Sequence, residues 1–299
     1  MKILLFGKNG QVGRELQLTL PALGQLIALG REKADLENSE EVERALHMHA
    51  PDIIVNAAAY TAVDEAEVEE AIAIKVNAHA VQVMAGYARA NNALLVHYST
   101  DYVFDGEKMG AYTENDVPNP INAYGRSKLA GEEAILHSGC HTLIFRTSWV
   151  FSVHGNNFVK TVMRLAKEHQ SLSIVADQVG TPTSAELIAD LTTQAITAWR
   201  NKAMSEGIYH LTATGHTTWH HLAVHIVERL QNQGAALPLH HDRILSITTQ
   251  EHTSLAKRPK NSRLNMSKLQ SALDIKPPRW IQHVDHIVDR LTHLYTQST

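Results

Sequence analysis

The sequence predicts an α/β fold, a doubly wound parallel sheet with a smaller C-terminal part. Three observations carry this expectation. Short apolar runs alternate with helical patterns from the start of the chain; Gly7, Gly10 and Gly13 join the first run to the first helix; and beyond Thr147 the alternation loosens into irregular pieces. Residues 1–150 are therefore expected to form the sheet domain, with later segments returning to it, and residues 151–299 mainly a second, ligand-covering part.

Lys2 to Phe6 reads as a buried strand, followed by a glycine turn and a helix over Gln11 to Leu20. Gln25 to Leu29 is a second strand. Ser39 is placed to cap a helix through Met48, whose apolar face is Val42, Ala45 and Leu46. Asp52 to Asn56, announced by Pro51, is a third strand, and Glu69 to Ala90 one long helix. Leu94 to Ser99 returns to a strand. Phe104 to Asn122, rich in Gly, Pro, Asn and Thr, is a loop; a helix from Asn122 to His137 and a strand from His141 to Arg146 follow. Later come a helix ending at His169, strands at Leu172 to Val175, Gly207 to Leu211 and Ile244 to Thr248, and helices from Ser184, over Trp219 to Leu230, and over Trp280 to Leu294.

Bulk properties exclude some functions. With 44% hydrophobic and 19% charged residues and a formal net charge of -4, the chain offers no general attraction to nucleic acid or acidic membranes. No apolar run is long enough to cross a bilayer, and the apolar start breaks at Gly7, as a first strand would and a signal core would not. The single Cys140 fits a reducing cytoplasm.

The run Gly7-Lys8-Asn9-Gly10-Gln11-Val12-Gly13 lets backbone approach a pyrophosphate at a helix N-terminus, the pattern of a Rossmann-like dinucleotide site. An acidic residue ending strand two would favour NAD; Gly30 followed by Arg31 stands there instead, which suits the 2'-phosphate of NADPH and leaves NADH open. Asp35 and Leu36 are placed by the adenine. Ala58, Ala59 and Tyr60, after strand three, are placed beneath the cofactor. Tyr124 and Lys128 stand at i and i+4 of one helix, so phenol and ammonium share a face. A cation there is expected to lower the phenol pKa, and Thr100, at the end of a strand, to polarise a carbonyl oxygen beside it. Asp101 is placed to bind sugar hydroxyls or cap its loop. Trp149 is placed either over a sugar or base, or within the junction between the two parts.

These runs, together with His97-Tyr98-Ser99-Thr100-Asp101-Tyr102, Arg146-Thr147-Ser148-Trp149, Gly155-Asn156-Asn157-Phe158, Asp177-Gln178 and Asn261-Ser262-Arg263-Leu264, make the chain resemble the extended short-chain dehydrogenase/reductase family over nearly its whole length. The resemblance implies an NADPH- or NADH-dependent reductase acting on the C4 ketone of a dTDP-linked 6-deoxyhexulose, with Tyr124 as proton donor. It implies Gly10, Gln11, Val12, Ala58, Ala59, Tyr60 and Tyr98 along the cofactor, Thr100, Asp101 and Trp149 at the sugar, and Arg258 and Arg263 at the diphosphate. It further implies a homodimer with Mg2+ between subunits, for which Glu15 and Glu186 match two ligand positions while His293 stands at the third. Two rival readings remain at this point: an epimerase or other nucleotide-sugar reductase of the same fold, and a non-catalytic NADP-binding subunit, against which the presence of both Tyr124 and Lys128 counts. The histidines His216, His220, His221 and His225 lack a third ligand in the run and read as surface or packing residues.

Overall fold

The computed structural model describes residues 1–296. Its strands are β1 (Lys2–Phe6), β2 (Gln25–Leu29), β3 (Ile53–Asn56), β4 (Leu94–Thr100), β5 (His141–Thr147), β6 (Val150–Phe151), β7 (Leu172–Val175), β8 (Val179–Gly180), β9 (Thr183–Ser184), β10 (Gly207–His210), β11 (Thr217–Thr218) and β12 (Ile244–Ile247). Its α-helices are α1 (Gln11–Thr19), α2 (Ser39–His49), α3 (Glu70–Ile74), α4 (Ala80–Asn91), α5 (Ala123–Ser138), α6 (Phe158–Glu168), α7 (Ala185–Arg200), α8 (Trp219–Asn232), α9 (Ser267–Leu273) and α10 (Trp280–Thr296).

Six strands form one sheet in the order β10-β5-β4-β3-β1-β2, and every pair in it is parallel. Each central strand is buried on both sides, so its residues alternate between two cores rather than between core and water. Ile3, Leu5, Val55, Val96 and Phe145 pack with Leu16 and Leu20 near α1 and with α7. Leu4, Phe6, Ile54, Leu95 and Ile144 pack with α2, α4 and Ile135 of α5 on the other face. The doubly wound parallel sheet expected from the sequence is thus present. The chain leaves β1 for β2 on one side and returns to β3 on the other, which makes the carboxyl ends of β1 and β3 the switch point where such sheets bind ligands.

Three local expectations are corrected. Asn38, not Ser39, caps α2: its side chain accepts from Glu40 N–H. An asparagine one residue earlier competes for the same role, and hydrophobic periodicity does not separate them. The single helix expected over Glu69 to Ala90 is interrupted by a π-helical turn over Lys75–His79, which buries Asn77. The two-residue strands β6, β8, β9 and β11, and helix α9, were not anticipated, since segments that short carry no detectable period.

The long loop after β4 is pinned from the C-terminal part. Tyr112 N–H donates to Arg263 O at 2.8 Å and Asn265 N–H to Tyr112 O at 2.7 Å, while Asn261 Nδ2 reaches the carbonyls of Lys108 and Gly110. No helix among the described residues is long and apolar enough to cross a membrane.

Candidate active site

Gly7, Gly10 and Gly13 sit at the end of β1 for different reasons. Gly7 has φ of +86°, and a Cβ there would lie 2.6 Å from Ala58 N; one on Gly13 would lie 2.0 Å from Gly7 O. Both are required by the chain's own packing. Gly10 is not: a Cβ there would meet nothing nearer than 3.4 Å. It is also the N-cap of α1, with no side chain closing the helix end. The donors at the start of α1 therefore face open space beside a residue without a side chain, a cradle that fits a dinucleotide pyrophosphate. Gln11 lies at its rim, its Oε1 accepting from Asn157 Nδ2 at 2.9 Å.

Ala58 and Tyr60 are fixed opposite. Ala58 N–H donates to Asn56 Oδ1 at 3.1 Å; Tyr60 N–H donates to Asn77 Oδ1 at 2.9 Å, and Asn77 Nδ2 donates back to Tyr60 O and to Ser127 Oγ. The π-helical turn thus ties the loop after β3 to α5. Arg31 is exposed and already engaged, its Nε donating to Asp35 at 3.1 Å and its Nη2 to Glu37. Leu36 is buried beside Ala34 in the core under α2.

Helix α5 opens on Asn122, whose Oδ1 accepts from Gly125 N–H at 2.7 Å. A Cβ on Gly125 would lie 2.2 Å from Tyr102 O, so the glycine lets α5 close onto the turn after β4. This brings Tyr124, Thr100, Asp101 and Tyr102 together. Thr100 lies against Tyr124 and donates to Asp101 Oδ1 at 3.0 Å, and the Tyr102 ring meets that of Tyr124 edge-on at 5.9 Å. Lys128, one turn on, is 2% exposed, with Nζ 2.6 Å from Tyr98 O and 3.2 Å from His97 Nε2.

Burial governs the ionisation here. It pushes the Tyr124 phenol up to about 12, the Thr100 hydrogen bond opposing and the Asp101 charge adding to the rise. The sequence expectation of a lowered phenol pKa is therefore corrected: desolvation of the buried ring dominates. Burial also brings Lys128 down to about 8, Glu132 opposing, and lifts Asp101 to about 6 against the hydrogen bond from Thr100.

Other expected residues lie apart or are committed elsewhere. The Tyr98 side chain points into the core and bonds Thr192 Oγ1 at 2.7 Å, so only its backbone faces α5; as a ring lining the cofactor it is corrected. Strand alternation explains this, since Tyr98 shares a face with Val96 and His97 does not. Arg258 reaches the site: it pairs with Asp64 at 2.6 Å and hydrogen-bonds Tyr102. Arg263 is tied to Asn261 Oδ1 at 2.8 Å and to Met109 O. Trp149, at φ of +48°, stacks on Trp219 at 3.5 Å and is backed by Gly180, where a Cβ would strike its ring; it packs in the junction with one edge accessible.

Glu15 and Glu186 do come together, but not as a metal site. Glu15 is 6% exposed, and burial and the neighbouring Glu186 and Asp190 raise its pKa. Arg290 of α10 donates to Glu186, His286 lies 3.5 Å from Glu186, and His154 lies 3.8 Å from Glu15. Within one chain the Arg290 guanidinium pairs with Glu186, and no group of three or more His, Cys, Asp or Glu among the described residues is arranged to hold a metal. His293, at the expected third place, lies three residues beyond Arg290 and is exposed.

From the sequence, Asp64, His97, Asn77 and Tyr102 carry no site role, and Asn56 is placed beneath the cofactor without its contact to His97. His97 and Asn56 had a signal: polar residues inside otherwise apolar buried strands.

Residues 1–293 match the family model described as RmlD substrate binding domain. The chain is 48% identical over 284 residues to the dTDP-4-dehydrorhamnose reductase of Burkholderia thailandensis, covering 94% of this chain and 95% of that one. It is 45% identical to that of Salmonella typhimurium, with all of both chains covered. Among solved structures, that of dTDP-4-dehydrorhamnose reductase from Bacillus anthracis in complex with NADP superposes with a TM-score of 0.88 at 33% identity, covering 97% and 99% of the two chains.

Proposed function

The chain belongs to the RmlD substrate binding domain family, and on that premise we propose that it is an oxidoreductase reducing the C4 ketone of dTDP-6-deoxy-L-lyxo-4-hexulose to dTDP-L-rhamnose, with NADPH as the preferred cofactor. The observation that carries the reading is the meeting of Tyr124, Thr100 and Lys128 at the ends of β4 and α5, close to the glycine cradle of β1. NADPH, when bound, supplies hydride. Gly7, Gly10, Gln11, Val12 and Gly13 would hold its pyrophosphate against the start of α1, with Ala58, Ala59 and Tyr60 opposite. Arg31 is the group for a 2'-phosphate, which would compete with Asp35 and Glu37 for one guanidinium; NADH is then a weaker alternative rather than an excluded one.

With its pKa near 12, the Tyr124 hydroxyl holds its proton across the neutral range and has one to give. An oxygen gaining negative charge beside it would receive that proton, with the Thr100 hydroxyl, turned away from Asp101 Oδ1, as second donor to the same oxygen. The hydroxyl of Tyr124 is then restored through Lys128. Asp101 and the accessible edge of Trp149 are read as sugar contacts. Arg258, beside Tyr102, is read as the diphosphate group, released from Asp64 on binding; Arg263 is the weaker candidate. Residues 1–150, joined by β10, form the cofactor part on this reading, and 151–299 mainly the sugar-nucleotide part. A buried free Cys140 and the use of NADPH support a cytoplasmic reaction. A homodimer, if formed, is proposed to assemble without Mg2+, because Arg290 replaces the bridge.

The test is incubation of the purified protein with NADPH and dTDP-6-deoxy-L-lyxo-4-hexulose. One NADPH oxidised per dTDP-L-rhamnose formed is expected. Isomerisation of the sugar with no net cofactor consumption would instead identify an epimerase, and no turnover with tight NADP binding a non-catalytic subunit.

A further inference from the structure

His97 stands behind Lys128 with both ring nitrogens in contact, Nδ1 with Asn56 Nδ2 and Nε2 with Lys128 Nζ, each at 3.2 Å. The least mobile partner decides where its proton sits. Asn56 Oδ1 accepts from Ala58 N–H at 3.1 Å, which turns the amide NH2 towards the imidazole. An amide NH2 only donates, so Nδ1 must present its lone pair. The ring is wholly buried, and burial holds its pKa well below the usual value, so it is neutral and its one proton lies on Nε2. That N–H points at Lys128 Nζ. Against an ammonium it would set donor against donor; against an amine it finds a lone pair. Nζ donates at the same time to Tyr98 O at 2.6 Å.

We propose that His97 is a positioning residue that, oriented by Asn56, biases Lys128 towards the neutral amine until ligands bind. The inference rests on Tyr124 and Lys128 being the catalytic pair. The surroundings of Nζ agree with it. From β4 it faces the His97 ring and a carbonyl, and beyond them Asp101, which is held by Thr100. On its own helix it faces Tyr124 and Glu132, whose carboxylate is taken by Arg146 of β5 through Nε at 2.9 Å and Nη2 at 2.5 Å. The nearest part of the π-helical turn is the neutral Asn77 on Ser127. Charging Lys128 takes one proton from solvent onto Nζ. It also requires the His97 proton to move to Nδ1, with no change in ring charge, and the Asn56 amide to turn over, which strands Ala58 N–H.

Long-range proton–nitrogen NMR of the full chain carrying 15N-histidine reads this tautomer directly, with the His97 signals assigned by their loss in His97→Gln. Without ligands, Nε2 is expected to be the protonated nitrogen and Nδ1 the bare one. Asn56→Asp keeps an acceptor for Ala58 N–H but demands a proton from Nδ1. It should reverse the two signals and move the Lys128 ionisation in the kcat/KM pH profile up by ~1 unit or more. A wild-type ring protonated on Nδ1, or on both nitrogens, would overturn the proposal, and that spectrum decides alone if Asn56→Asp does not fold. The spectrum itself involves no substrate, so failure of the catalytic assignment would leave it unchanged.

Discussion

Two buried charged groups on opposite faces of the sheet have met opposite fates. Glu15, between α1 and α7, belongs to a cluster compensated by Arg290 and flanked by His154 and His286. Lys128, between β4 and α5, has no carboxylate of its own, because Arg146 holds Glu132 with two donors. Compensation costs the first cluster its chemistry and makes it a joint between helices. Lack of compensation leaves the second cluster with the larger displacements, Lys128 down to about 8 and Tyr124 up to about 12. Clustered charge alone therefore does not mark a site; the marker is charge buried without a counter-charge.

Removing each cation sharpens that contrast. Lys128→Met is expected to lower kcat by ~10²–10³ while leaving thermal stability unchanged or raised, since it deletes a buried group that folding must desolvate. Paired measurement of turnover and Tm checks it, and a large loss of Tm would place Lys128 with the structural charges. Asp101→Asn is the next test. The Asp101 carboxyl, lifted to about 6 from an ordinary 3.8, contributes stability that is present below the ordinary value and lost as pH rises through about 6. The variant should lose that downward slope in a Tm-against-pH series and lose an inflection near pH 6 in kcat/KM.

Arg290→Met should do the reverse of Lys128→Met: kcat within about twofold of the original, and Tm lower by about 2–4 °C at neutral pH, a modest figure because both partners touch solvent. In the unaltered protein, neither EDTA nor millimolar Mg2+ should change Tm or sedimentation mass; a shift in either would restore the metal bridge. The smallest expected effect is at the cofactor's far end. Arg31→Ala should raise the KM for NADPH by about 3- to 10-fold and that for NADH little, because the guanidinium already spends itself on Asp35 and Glu37.

The parts of the fold that could be read in advance are those with a period or a forced backbone. The strands β1, β2 and β7 stand where alternation places them, and Gly7 and Gly13 are glycine because packing allows nothing else. The Tyr124–Lys128 spacing was equally legible, since a helix fixes which residues share a face. What escaped depends on partners far along the chain. Arg258 finds Asp64, Tyr98 finds Thr192, and Arg290 finds Glu186, none of which local pattern encodes. The direction of the Tyr124 shift escaped for the same reason: it depends on how deeply the folded chain buries the ring.

The central claim is that a neutral, buried phenol delivers the proton while hydride reaches C4. Single-turnover oxidation of bound NADPH by dTDP-6-deoxy-L-lyxo-4-hexulose, compared between the native protein and Tyr124→Phe, tests it most directly. The account predicts a hydride-transfer rate lower by ~10²–10⁴ with NADPH affinity unchanged. A rate that survives the loss of that hydroxyl would contradict it.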